Sequence, residues 1–235
     1  DAPQTLVIGA GDLRSAGIAA GDAVIVTPGR LTIAGCLDVA LGEARRWQPT
    51  LPRYPRDPAT LEFNLRAARR VHAAEVHVPA GNAQRVADEL VSARTAALVD
   101  ALARGDQEAA AAAGTAMLGL GRGLTPSGDD VLVGMLAVLH MPGSPRHALA
   151  PIGARIAARA HERTHAISAA ALHAAAGGRV RASIAALLDA LATGTPARAA
   201  AALARLLSIG SSSGRDMLTG ILAGFDVHRR AFARS

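Results

Sequence analysis

The chain has 235 residues, a formal net charge of +6 and one cysteine, Cys36, which excludes an internal disulfide and a cysteine-based structural zinc site. All of its 25 Lys/Arg positions are arginine, which excludes a P-loop because that motif needs lysine. The arginines are dispersed and only 2% of residues are aromatic, so we expect no nucleic-acid binding. No apolar run approaches the roughly 20 residues that span a bilayer, and no signal-peptide pattern is present, so we expect a cytoplasmic protein without membrane association.

The amino-terminal part is predicted to be rich in β-strands. Short apolar runs there are separated by turn signals such as Pro28-Gly29. Residues 48–58 form a proline-rich connector, and a helix at 60–72 follows it. We therefore predict a mainly β domain over residues 1–82, similar to a small barrel or sandwich. The predicted strands are 6–8, 23–27, 31–33, 36–39 and 75–78.

The remainder, residues 83–235, is predicted to be an α-helical domain. Its apolar residues recur with helical periodicity, and glycine or proline marks the turns. A small β domain followed by a larger helical bundle makes the expected fold class α+β. The predicted helices are 83–104, 107–118, 128–140, 147–176, 180–192, 196–208 and 214–231.

A glycine-rich loop precedes one of these helices. Residues 119–126 read Gly-Leu-Gly-Arg-Gly-Leu-Thr-Pro, and the alternate glycines let a ligand approach the backbone closely. Ser127 is predicted to cap the helix, with Asp129 and Asp130 in the first turn. Free N–H groups and the helix dipole favour negative charge, so the loop with Arg122 is a candidate anion site. The alternative is a purely structural connector.

The same helix start occurs twice. Residues 213–220 read Ser-Gly-Arg-Asp-Met-Leu-Thr-Gly, against Ser-Gly-Asp-Asp-Val-Leu-Val-Gly at 127–134. In each copy an Asp follows a serine by three residues, as in a capping box, so both Asp residues could simply hold helix ends. A glycine within a helix costs about 1 kcal/mol relative to alanine. The paired Gly134 and Gly220 therefore predict two helices in close contact, with their loops facing one cavity.

These motifs carry a family resemblance. The run Gly-Leu-Thr-Pro-Ser-Gly-Asp-Asp at 123–130 and the second run at 210–220 resemble the AllH family, named for a subunit of the oxamate carbamoyltransferase of anaerobic allantoin degradation. Trp-Gln-Pro at 47–49 and Arg163-Thr164, with Ser168 on the same predicted helix, fit the same pattern. The resemblance covers most of the chain and implies carbamoyl transfer in purine catabolism within a multi-subunit complex.

The implied reaction moves a carbamoyl group from carbamoyl phosphate to an amide or amine such as oxamate. It needs two anionic reactants held in line, with fixed donors for the developing charge. We predict Arg122, Thr125, Ser127 and Asp130 as the catalytic centre, with Arg122 contacting phosphate or carboxylate. The sequence requires no cofactor, although Asp129 and Asp130 could hold Mg²⁺. The predicted substrate-binding residues are Gly121, Gly123, Gly128, Asp129, Arg163, Thr164, Ser211, Ser213, Arg215 and Asp216.

Two alternatives stay open. The chain could be a non-catalytic anion-binding scaffold or regulatory subunit that acts only within its complex. His161-Glu162-Arg163-Thr164-His165 also matches the H-E-x-x-H zinc motif, but the usual third ligand is missing downstream, so we expect a chance match and no zinc there. One face of the predicted helix would instead present His161, His165, Ser168 and Leu172 to a polar cavity.

Overall fold

The computed structural model describes residues 16–44, 50–74 and 81–232. Residues 16–44 belong to one compact unit, and the other two segments belong to a second. The predicted strands at 6–8 and 75–78 lie outside the described residues, as does the Trp-Gln-Pro sequence.

The smaller unit contains an antiparallel sheet of three strands in the order β1 (Val24–Thr27), β2 (Arg30–Ile33) and β3 (Leu37–Ala40). Thr27 pairs with Arg30, so Pro28 and Gly29 form the predicted two-residue turn between β1 and β2. A barrel or sandwich needs more than these three strands. The further predicted strands lie outside the described residues, so the barrel or sandwich stays a prediction.

The larger unit is helical in its described part. This sheet followed by helices confirms the predicted α+β class. Helix α1, which precedes the predicted domain boundary at residue 82, packs against α8 and α10 of this unit. The helices are α1 (Ala59–Ala74), α2 (Asn82–Arg104), α3 (Gln107–Thr115), α4 (Ser127–Leu139), α5 (Ile152–Ala157), α6 (Ala160–Arg163), α7 (Ala166–Ala176), α8 (Ala182–Thr193), α9 (Pro196–Leu207) and α10 (Ser213–Phe232).

The single helix predicted over 147–176 is wrong. A 3-10 turn at its start is followed by α5, α6 and α7. Pro151, which has no N–H group, is the N-cap of α5, and Thr164 is extended with φ −142° and ψ 176°. His161 and Ser168 therefore lie on different helices, and the predicted common face does not form.

The core of the larger unit surrounds α4, all 13 residues of which are buried. The apolar side chains of this core are mostly small and aliphatic, in keeping with the low aromatic content of the chain. The most extensive packing between helices joins α4 to α10. In the part of the chain that the structure describes, no helix is both long and apolar enough to cross a membrane.

Candidate functional site

Helices α4 and α10 pack with their backbones in direct contact. A Cβ added to Gly134 would lie 2.1 Å from the carbonyl oxygen of Met217 on α10. A Cβ added to Gly220 would lie 1.9 Å from the carbonyl oxygen of Val131 on α4. The two contacts are equivalent in the register of the repeat, and they confirm the close packing predicted from the paired glycines.

The starts of the two helices are joined by polar side chains. Thr125 Oγ1 and Ser213 Oγ share a hydrogen bond of 2.8 Å. The carboxylate of Asp130 accepts a hydrogen bond from Ser213, whereas that of Asp216 accepts one from Ser127. Each carboxylate therefore bonds a serine of the other motif, and the two helix starts form one polar cluster.

The predicted N-cap role of Ser127 is wrong. Helix α4 begins at Ser127 itself, and the N-cap is Pro126, which makes no side-chain capping bond. The Pro126 carbonyl accepts the amide of Asp129 at 2.9 Å. Proline has a fixed φ and no N–H group, so it suits the position where the extended loop becomes a helix. The hydroxyl of Ser127 is consequently available to bond Asp216 on the other helix.

The two carboxylates of the cluster are buried, since Asp130 is 3% and Asp216 is 9% exposed. Burial raises the pKa of both, that of Asp130 to about 7, and hydrogen bonds from serine offset only part of this effect. One oxygen of each carboxylate, Oδ2, has no hydrogen-bond partner among the described residues. Raised pKa values at neighbouring carboxyl groups beside a cavity are typical of sites that bind ligands or move protons.

Asp129 faces the inside of the fold and is 1% exposed. Its carboxylate accepts the amide N–H of Gly119 at 3.0 Å and the hydroxyl of Thr164. Ser168 also donates to it, although burial is the larger effect and raises its pKa. Asp129 therefore connects the start of α4 to the glycine-rich loop and to the break before α7.

A cavity of ≈530 Å³, which we call the α10 cavity, lies beside the start of α10. Ser127 from α4 and Arg215 and Asp216 from α10 line one side of it. The rest of its lining was not predicted from the sequence: α2 places polar residues there at helical spacing, and α1 and α10 add others. The missed polar and charged residues are His72, Asp88, Ser92, Thr95, Thr219, Asp226 and Arg230.

Two cations of the α10 cavity lack an ion pair in the described part of the chain, although the charge of Arg215 lowers the pKa of the neighbouring Asp216. Arg215 and Arg230 form no ion pair among the described residues. By contrast, Asp226 is bound by Arg69 at 2.9 Å and by Arg229 at 3.3 Å. Unpaired guanidinium groups in a concave site are suited to carboxylate or phosphate.

Not all predicted residues meet at this cavity. Arg122 and Gly123 are exposed on the loop and do not line it, and Ser211 is also exposed. Arg163 lies on a separate groove with Arg155 and Arg159. The residues that the structure brings together at the paired helix starts are Thr125, Ser127, Gly128, Asp130, Ser213, Arg215 and Asp216.

The extended backbone at Thr164 also separates the two histidines of the H-E-x-x-H sequence. His161 ends up in α6, whereas His165 immediately precedes α7. A zinc site of that type needs both His one turn apart on the same helix. His161 instead stacks on His173, with ring centroids 5.1 Å apart.

The fold and the paired helix starts thus define an α+β protein with a polar cavity in its helical unit. Residues 117–225 match the family model of the oxamate carbamoyltransferase subunit AllH. This match confirms the resemblance seen in the motifs, and it covers a little under half of the chain, including both helix starts. The α1 and α2 residues of the α10 cavity precede the matched segment. No solved structure matches the chain.

Proposed function

We propose that this chain is a carbamoyltransferase subunit and that it binds small anionic substrates in the α10 cavity. The observation that supports this most strongly is the unpaired guanidinium group of Arg215. It lies in the second motif of the family segment and lines the cavity beside Ser127 and Asp216. Carbamoyl phosphate and an acceptor of the oxamate type both carry the negative charge that such a group binds.

The chemistry of the transfer gives each of these groups a role. The acceptor nitrogen attacks the carbamoyl carbon, the bond from that carbon to the phosphate oxygen breaks, and the nitrogen loses a proton. Arg215 and Arg230 would hold the anionic groups, and the Ser127 hydroxyl would donate to the developing oxyanion. Asp216 is the candidate proton acceptor, because it lines the cavity and burial raises its pKa.

The main test compares two arginines. Binding of carbamoyl phosphate and of oxamate is measured by calorimetry for the wild type, Arg215→Gln and Arg122→Ala. We expect Arg215→Gln to weaken binding about tenfold or more, the effect of losing one charge-assisted contact, with an unchanged melting temperature. Arg159→Gln, on the exposed surface, is the control for general charge. If only Arg122→Ala weakens binding, the site lies on the glycine-rich loop, as the sequence predicted, and our assignment to the α10 cavity is overturned.

A second measurement concerns catalysis. The family is described as a subunit, so we propose that partner subunits complete the enzyme. Phosphate release from carbamoyl phosphate and oxamate is followed with the isolated chain and then with its partners added. Release that requires the partners and is lost in Arg215→Gln supports a catalytic subunit. Release by the partners alone at the full rate would support the scaffold or regulatory alternative.

A further inference from the structure

A second cavity lies between α8 and α9, and it shares no residue with the α10 cavity. Its volume is ≈560 Å³. We call it the α8–α9 cavity. Its polar lining consists of Arg181, Ser183, Arg198, Arg205 and Ser208. We propose that it is a separate binding site for a small phosphate-bearing anion.

The charge of this cavity is the first argument. Three arginines line it, and no carboxylate does so among the described residues. Arg198 is paired with Asp189, which lies outside the lining. Arg181 and Arg205 form no ion pair in the part of the chain that the structure describes. The α10 cavity, by contrast, contains three carboxylates, so the α8–α9 cavity is the more strongly cationic of the two.

The start of α8 adds hydrogen-bond donors to the same lining. The N-cap residue Arg181 makes no side-chain capping bond, and its carbonyl accepts the amides of Ile184 and Ala185 at 3.1 Å. The amides of Ala182 and Ser183, both lining residues, therefore have no acceptor within the helix. Backbone donors at the positive end of a 12-residue helix, together with two unpaired guanidinium groups, suit the several oxygens of phosphate.

Small side chains between the helices determine which ligands fit. Ala186 and Ala190 on α8 face Ala201 and Ala202 on α9, and the absence of larger side chains there leaves the volume open. The lining is thus cationic at the residues named above and apolar along the alanines. A compact organic phosphate with a small apolar portion matches this distribution, and the volume is in the range of small-molecule sites.

The test uses inorganic phosphate and pyrophosphate as probes in calorimetry at constant ionic strength. The double variant Arg181→Gln/Arg205→Gln is compared with Arg66→Gln/Arg70→Gln, which removes two exposed arginines of α1 that form no ion pair among the described residues. We expect the first variant to weaken pyrophosphate binding about tenfold or more, and the α1 variant to leave it unchanged. Circular dichroism melting confirms that both variants are folded.

Equal weakening in both double variants would show binding to general positive charge and would overturn the site. Unchanged pyrophosphate binding in Arg181→Gln/Arg205→Gln would also overturn the site. An acidic peptide serves as a further probe, and binding of this peptide without binding of phosphate would overturn the site as well. Oxamate binding distinguishes this proposal from the one above. Arg181→Gln/Arg205→Gln should leave oxamate binding intact, whereas Arg215→Gln should weaken it and leave a pyrophosphate site in place.

Discussion

The starts of α4 and α10 have nearly the same sequence, but the residues at one matched position face different environments. Position 129 of the first motif corresponds to position 215 of the second. Asp129 points into the fold and binds Gly119 and Thr164, whereas Arg215 lines the α10 cavity without an ion pair among the described residues. The shared serine, aspartate and glycine positions build the contact between the helices. At the first position where the motifs differ, a structural residue of α4 corresponds to a candidate ligand-binding residue of α10.

The surroundings of the two helices explain this difference. Helix α4 is enclosed by α2, α7, α8 and α10, so all its residues are buried. Helix α10 packs against α4, α2, α1 and α9, and part of its surface lines the cavity. At the matched position, the charged side chain of α4 is therefore satisfied within the protein, while that of α10 is open to a ligand.

The largest effect is expected at the helix contact. Gly220→Ala and Gly134→Ala should each lower the free energy of unfolding by about 3 kcal/mol, because the new methyl group would overlap a backbone carbonyl of the other helix. Urea denaturation measures this, with Gly177→Ala as the control, since its added Cβ would meet only ordinary contacts from 3.5 Å. A large effect at one glycine and none at the other would contradict the equivalence of the two contacts.

A smaller effect is expected at the matched position. Asp129→Ala removes the acceptor of buried hydrogen bonds from Gly119 and Thr164, so we expect a loss of about 2 kcal/mol of unfolding free energy. Arg215→Ala should change this quantity by only about 0.5 kcal/mol, because its guanidinium group forms no ion pair among the described residues and acts on Asp216 only through its charge. Similar losses in the two variants would show that both positions are structural.

The effect that is smallest per pH unit is a pH dependence of stability due to Asp130. Its pKa is raised from 3.8 to about 7 in the folded protein, so between these values the folded state binds a proton that the unfolded state does not. Its contribution to stability is therefore present at low pH and is lost as pH rises toward 7, with a slope of at most about 1.4 kcal/mol per unit. Asp130→Asn should reduce this slope between pH 5 and 7 in urea denaturation, while Glu89→Gln on the surface should not. An unchanged slope in Asp130→Asn would assign the proton to another group.

Much of the helical unit could be predicted from local patterns. Apolar periodicity and turn residues located most of its helices, and the paired Gly134 and Gly220 indicated which two pack together. The break at Thr164 was missed because the residues around it favour a helix, and the hydroxyl of Thr164 is instead bound by Asp129, 35 residues earlier. That tertiary bond helps to hold the extended backbone, and no local pattern reveals it.

The candidate site was predicted only in part, for a similar reason. Both motifs were recognised, but α1 and α2 carry no motif, and their contribution to the α10 cavity depends on packing. The sequence also could not distinguish Arg122 from Arg215, since each lies beside a helix start that is preceded by a loop of small residues.

The repeat, most helix positions, the β1–β2 turn and the family resemblance follow from local sequence patterns, because these depend on residues near one another in the chain. Helix packing is needed to show that Asp130 bonds Ser213 while Asp216 bonds Ser127, and that Arg215 reaches a cavity while Asp129 does not. These pairings join residues more than 80 positions apart. They depend on how closely two glycine-faced helices approach, and local patterns contain no measure of that distance.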